Sequence, residues 1–88
     1  IFMEVSKLIL ILKKKIENKI SVQNILIQDK TFLHTKHKSH QLGKFHLLLK
    51  INSEELRKYS KIQATKKIYK ILDEEIKKYI HSIQILIN

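Results

Sequence analysis

The 88-residue chain predicts a single α+β domain, αββααβ in order, with a three-stranded mixed sheet packed on helices. Three observations predict it. Apolar residues recur at three- and four-residue spacing in two long stretches, and they alternate or cluster over strand lengths in three short ones. No proline, internal repeat or low-complexity linker divides residues 1–88. At 43% hydrophobic and 30% charged, the sequence can build a core and falls outside the disordered class.

Residues 3–20 read as the first helix. Val5, Leu8, Leu12, Ile16 and Ile20 form its apolar stripe, and lysines 13–15, Asn18 and Lys19 occupy the rest of its surface. Val22 to Ile27, rich in β-branched residues, reads as the first strand. Residues 29–44 are polar, hold the only glycine, Gly43, and form a long loop of the kind that is usually functional. Phe45, Leu47, Leu49 and Ile51 alternate with His46, Leu48 and Lys50, which gives the second strand and an exposed position for His46.

A polar turn at Asn52–Glu55 leads through a helical turn at Arg57 to Ser60-x-x-Gln63, a capping box that opens a second long helix. Ile62, Ile68, Tyr69, Leu72, Ile76 and Tyr79 form the apolar face of that helix. Asp73 with Lys77 and Glu74 with Lys78 are favourable i,i+4 pairs. Ile83, Ile85 and Ile87 alternate within His81–Asn88, the third strand. Strands one and two are consecutive and antiparallel. Strand two, the long helix and strand three make a right-handed crossover, which sets strand three parallel to strand two.

Composition excludes several functions. With no Cys there is no disulfide framework, thiol nucleophile, zinc ribbon or cluster held by the chain's own thiolates. The longest apolar run is Leu8 to Leu12, far short of a membrane span, and the expectation is no membrane partner. The net charge of +10 points nominally to polyanions, yet 17 of the 18 basic residues are lysine and only Arg57 is arginine. Ile fills 16 positions and Leu 12, a pattern that A/T-rich codons for Ile, Lys and Asn produce without selection for nucleic acid. The chain opens on Ile1, as a fragment of a longer product does, so any transit peptide is not legible; the expected compartment is mitochondrial or cytosolic.

Five histidines carry the chemistry. His34, His37 and His40 are spaced H-x-x-H-x-x-H in the long loop, and neutral imidazole is a good ligand for iron, zinc and copper. The bland alternative for each is a solvated residue in a solvated loop. His81 lies at the junction of the second helix and third strand, where a ring proton could instead cap an orphan carbonyl. Connectivity places the loop at the sheet end where strands two and three both begin. His34 and His81 therefore belong to one edge of the sheet although 47 residues separate them. An enzyme finds little support: there is no glycine-rich phosphate loop and no G-x-S-x-G, and Asp29 is the only acid near the loop.

Several stretches match a known pattern: Asp29-x-x-x-x-His34, Phe45 opening the second strand, Ser60-x-x-Gln63, Ile68-Tyr69, Leu72, Glu74-Glu75-Ile76, and Ile80-His81-Ser82-Ile83-Gln84-Ile85. In these the chain resembles the BolA family, most specifically in the E-E-I…I-H-x-x-x-I tail. The resemblance implies a fold akin to class II KH domains. It also implies a non-enzymatic partner of monothiol glutaredoxins that shares a bridged 2Fe–2S cluster, with glutathione and the glutaredoxin cysteine as the sulfur ligands. This chain would be a histidine-type member and a monomer in isolation, contributing His34 and His81, with His37 as a possible additional or substitute ligand. Imidazole in place of thiolate makes such a cluster less negative and raises its potential.

At the helix entrance Leu56, Lys58, Ala64, Thr65 and Lys66 depart from the family's F-x-G and R-H-R pattern. The alternative expectation is a KH-like nucleic-acid-binding or transcriptional regulatory protein using Lys58, Lys61, Lys66 and Lys67, although Lys58-Tyr59-Ser60-Lys61 lacks the G-x-x-G of a KH clamp. A third reading is zinc or copper buffering by the loop histidines, which needs His37 and His40 and survives loss of His81.

Overall fold

The apolar stripe of the first helix closes over one face of a three-stranded sheet in the computed structural model, which describes residues 3–31 and 44–88. The elements are α1 (Val5–Lys19), β1 (Asn24–Asp29), β2 (Phe45–Asn52), α2 (Glu54–Arg57), α3 (Lys61–Ile71), α4 (Asp73–Tyr79) and β3 (Ile80–Ile87). Strand order is β1-β2-β3, with β1 antiparallel and β3 parallel to β2, as the connectivity requires. Consequently β1 ends, and β2 and β3 begin, at the same end of the sheet.

Register divides the sheet into two faces. The rows Ile25–Ile51–Ile87 and Ile27–Leu49–Ile85 meet Leu8, Leu12 and Ile16 of α1 and Ala64 and Ile68 of α3 in one core. The rows Leu26–Lys50–Leu86 and Gln28–Leu48–Gln84, followed by the pair His46–Ser82, line the other face. Leu26 and Leu86 are exposed there and Leu48 is half-buried. Among the described residues no helix covers this face, because α1 and α3 both pack on the core side of the sheet.

Caps fix the joints. Ser60 accepts from the Gln63 amide at 3.1 Å while the Gln63 side chain accepts from the Ser60 amide at 3.3 Å, so the capping box forms. Ser53, fully buried, caps α2 by accepting from the Leu56 amide (3.1 Å) and donates to the Ser21 carbonyl (2.7 Å). At the same end Arg57 donates to the Asn52 side chain (2.6 Å) and the Asn88 carbonyl (2.8 Å).

Three details differ from the sequence expectation. The first strand runs from Asn24 to Asp29 rather than Val22 to Ile27, because its pairing with β2 starts at Asn24–Asn52. The second long helix divides at Leu72, whose φ of −98° and ψ of 10° turn the axis between α3 and α4. Hydrogen bonds from Leu72 to Ile68 (3.0 Å) and from Ile76 to Leu72 (2.9 Å) carry the backbone across that bend. The face named for this helix also shifts: Ile62 is 70% exposed, Ala64 takes the buried position, and Tyr69 is exposed with its hydroxyl donating to the Ile83 carbonyl at 3.1 Å. Asp73–Lys77 (3.1 Å) and Glu74–Lys78 (3.2 Å) pair as expected.

Candidate metal centre

Where β1 ends, Asp29 turns the chain: its carboxylate accepts from the Thr31 amide at 3.0 Å and from the Thr31 hydroxyl. Thr31 Oγ1 in turn accepts from the His46 amide (3.1 Å), and the His46 carbonyl accepts from the Lys30 amide (2.7 Å). Both backbone polar groups of His46 are therefore tied to the end of β1. A charged or strongly polar neighbour is a sensible turn residue here, since Asp side chains bond their own backbone two residues on.

On the other side of β2 the register slips. Phe45 pairs with Ile80 but His46 pairs with Ser82, which leaves His81 as the extra residue of a bulge in β3. Strict alternation would aim His81 at the core with Ile83. A bulge re-aims one side chain and bends the strand, and here both His81 and Ser82 reach His46. His46 Nδ1 is 2.7 Å from Ser82 Oγ, and the rings of His46 and His81 stand 4.7 Å apart between centroids with their planes 33° apart.

His81 is exposed, so an ion or a partner protein can reach its ring. His46 is only 6% exposed, against the expectation of an exposed strand position. It lies in the central strand at the slip, where Ser82 and His81 both pack against its ring. Sequence reading missed it because alternation shows which face a residue takes, not what covers that face. A histidine in the central strand, in register with the His81–Ser82 pair, was the available signal.

His34, His37 and His40 lie outside the described residues. Thr31 and Lys44, the residues that flank this stretch, adjoin the ends of β1 and β2 at the His81 end of the sheet. Among the described residues no group of three His, Asp or Glu side chains converges as a metal site. Lys58, Lys61, Lys66 and Lys67 are all exposed. Lys58 and Lys61 sit beyond the far end of β2, across the sheet from His81, and Lys67 lies 4.6 Å over the Tyr59 ring. The histidine edge and this part of the lysine surface are thus at opposite ends of the molecule.

Away from both, Lys15 of α1 grips α4: its Nζ is 2.9 and 2.8 Å from the two oxygens of buried Glu75 and 3.6 Å from Glu74. The hydrogen bond to Glu75 holds the Lys15 ammonium above its usual pKa, and hydrogen bonding from Lys78 holds Glu74 below the usual carboxylate range. No helix is long and apolar enough to cross a membrane among the described residues.

Comparison with known proteins identifies the architecture. The BolA domain of SufE1 from Arabidopsis thaliana superposes with a TM-score of 0.76 at 22% identity, covering 90% of this chain and 87% of that one. BolA1 from Arabidopsis thaliana gives 0.74 at 19% identity over 100% and 93% of the two chains. A bol-like protein from Babesia bovis gives 0.68 at 12% identity, covering 88% and 78%. No curated protein sequence gives a match. The family described as BolA-like protein matches residues 16–88, and on that match the chain belongs to the BolA-like family.

Proposed function

We propose that the chain is a non-enzymatic iron–sulfur accessory protein that binds a monothiol glutaredoxin and shares a bridged 2Fe–2S cluster with it. The observation that carries the reading is His81, an exposed imidazole set on a strand bulge at the sheet end from which the segment bearing His34 departs. The donor chemistry fits: neutral imidazole ligates the iron of 2Fe–2S centres, and a chain without cysteine leaves the thiolate ligands to its partner. When bound, the cluster supplies one-electron chemistry or is itself the cargo.

The chain's own residues do the holding. Ser82 and the Asp29–Thr31 turn fix His46, and His46 gives the His81 ring a surface to lie against, so that less rotamer freedom is lost when His81 ligates. His34 is the second ligand in this reading, with His37 its substitute.

Mixing the apo protein with cluster-loaded monothiol glutaredoxin tests it, with visible circular dichroism and size-exclusion chromatography as readouts. The expected result is a changed cluster spectrum and a stable heterodimer, both weakened by His34→Ala or His81→Ala while the far-ultraviolet spectrum of the apo protein holds. An unchanged spectrum with no heterodimer refutes the proposal.

A further inference from the structure

The two edges of the sheet are built differently. β3 runs eight residues from Ile80 to Ile87 at the end of the strand order and carries no Lys, Arg, Asp, Glu or Pro, whereas β1 has six residues and ends on Asp29. Edge strands are ordinarily blunted by lysine, proline, shortness or a bulge, and in β3 the bulge at His81 guards only the start. We propose that the run Ile83–Ile87, with the neighbouring face of α3, accepts an extended segment of an acidic partner protein as a fourth strand.

Backbone direction is the first support. The Asn88 amide donates to the Ile51 carbonyl (2.8 Å) and the Asn88 carbonyl accepts from the Ser53 amide (3.4 Å), so Asn88 turns its polar groups toward β2. Successive residues of a strand aim theirs to opposite sides, and Ile83, Ile85 and Ile87 therefore aim theirs outward. The Tyr69 hydroxyl, which donates to the Ile83 carbonyl at 3.1 Å, meets one of these groups. Among the described residues no other partner reaches them. The open run covers about 13 Å at roughly 3.3 Å per residue, room for an added strand of about five residues.

Side chains support the same edge. Ile83, Ile85 and Ile87 pack against the core yet stay half-buried, at the outer strand of the sheet. Ile62, Lys66 and Tyr69 share one face of α3 by their four- and three-residue spacing, and the Tyr69 hydroxyl sets that face beside β3. Because α3 lies in the crossover between two parallel strands, it runs back antiparallel to β3, and exposed Ile62 lies toward the Ile87 end. An apolar strip thus borders unpaired backbone. Strand addition uses both, main-chain bonds for affinity and alternate side chains for specificity.

Charge selects the occupant. α3 contains Lys61, Lys66, Lys67 and Lys70 and no acid, and Asp73, the next acid along the chain, pairs with Lys77 at 3.1 Å. The whole chain carries +10. Pairing of two copies through β3 would set like charge against like, whereas an acidic segment meets opposite charge. The docking uses none of the histidines and is independent of the proposed cluster function.

The test is NMR titration of the full ¹⁵N-labelled chain with a soluble heptapeptide that alternates valine with aspartate and glutamate. Saturable shifts centred on the amides of Ile83, Ile85 and Ile87 are expected, with hydrogen exchange at those amides slowed roughly 10-fold. The same peptide N-methylated at alternate residues should bind roughly 10-fold more weakly, since its pairing donors are gone. Replacing its acids by lysine should weaken it about as much. Ile85→Pro removes one outward N–H and leaves the bonds to β2, and should weaken binding roughly 10-fold; Lys66→Glu, at an exposed position, should weaken it about threefold. The peptide variants and Lys66→Glu keep the test decisive if Ile85→Pro fails to fold. Absence of saturable shifts, shifts confined to another surface, or equal affinity of the methylated peptide overturns the proposal. So does dimerisation of the free chain through β3, or a single-stranded oligonucleotide that moves these amides where the acidic peptide does not.

Discussion

Ser53→Ala puts the joint between the sheet and the helices to a quantitative test. Ser53 is fully buried, yet its hydroxyl makes two hydrogen bonds: it accepts from the Leu56 amide as the cap of α2 and donates to the Ser21 carbonyl where α1 gives way to β1. Alanine fits the space, so the change removes bonds and adds no clash. Losing an N-cap costs about 0.5–2 kcal/mol. Leaving a buried partner unsatisfied costs about 1–3 kcal/mol. Part of the two costs overlaps, since the orphaned Leu56 amide is counted in both, so the expected loss is about 2–3 kcal/mol. For a domain of this length that corresponds to a fall in Tm of roughly 10–20 °C. Urea unfolding followed by circular dichroism measures it, with an unchanged m-value showing that the unfolded state is not the cause. A loss below about 0.5 kcal/mol would refute the reasoning, because it would mean that the two bonds contribute nothing beyond what solvent can replace.

Other consequences can be checked with the same assays. Ser60→Ala removes an exposed capping box and should cost about 1 kcal/mol, less than Ser53→Ala, in the same urea titration. Leu12→Ala empties a fully buried position of α1 and should cost about 3–5 kcal/mol, enough to leave the domain marginal by thermal unfolding. The Lys15–Glu74–Glu75 cluster predicts a pH profile with two shoulders. Lys15 has its pKa raised, so its contribution is complete below the ordinary lysine value and disappears as pH climbs through the raised one. Glu74 has its pKa lowered, so its contribution is complete above the ordinary glutamate value and disappears as pH drops through the lowered one. Tm measured against pH should therefore fall at both extremes, and Lys15→Met should remove the alkaline shoulder; a profile in Lys15→Met identical to wild type contradicts the assignment.

Local signals made much of the fold legible from sequence. Leu8, Leu12 and Ile16 sit at helical spacing and are fully buried, and Ser60-x-x-Gln63 forms the cap that its spacing describes. Chain connectivity gave the parallel pairing of β2 and β3, since a helical crossover returns the chain to the end of the sheet where β2 began. What was not legible depends on contacts between distant residues. Nothing in Ile71-Leu72-Asp73 announces the bend at Leu72, which contains neither glycine nor proline. The slip that turns His81 toward His46 is a matter of register between two strands, and a period of two in either strand cannot reveal an extra residue in one of them. Hence His81 was recognisable as a candidate from its junction position, while His46, whose ring packs against it, was read as a surface residue. Lys15 likewise read as one of three consecutive lysines until α4 brought Glu75 against it.

The central claim is that this chain's imidazoles bind the iron of a cluster shared with a glutaredoxin. The most direct measurement labels histidine in this chain alone with ¹⁵N, assembles the complex with unlabelled glutaredoxin, reduces the cluster and records its pulsed paramagnetic resonance. Strong ¹⁵N couplings that vanish in His81→Ala are the predicted result. A reduced cluster in the assembled complex with no ¹⁵N coupling from this chain would contradict the account.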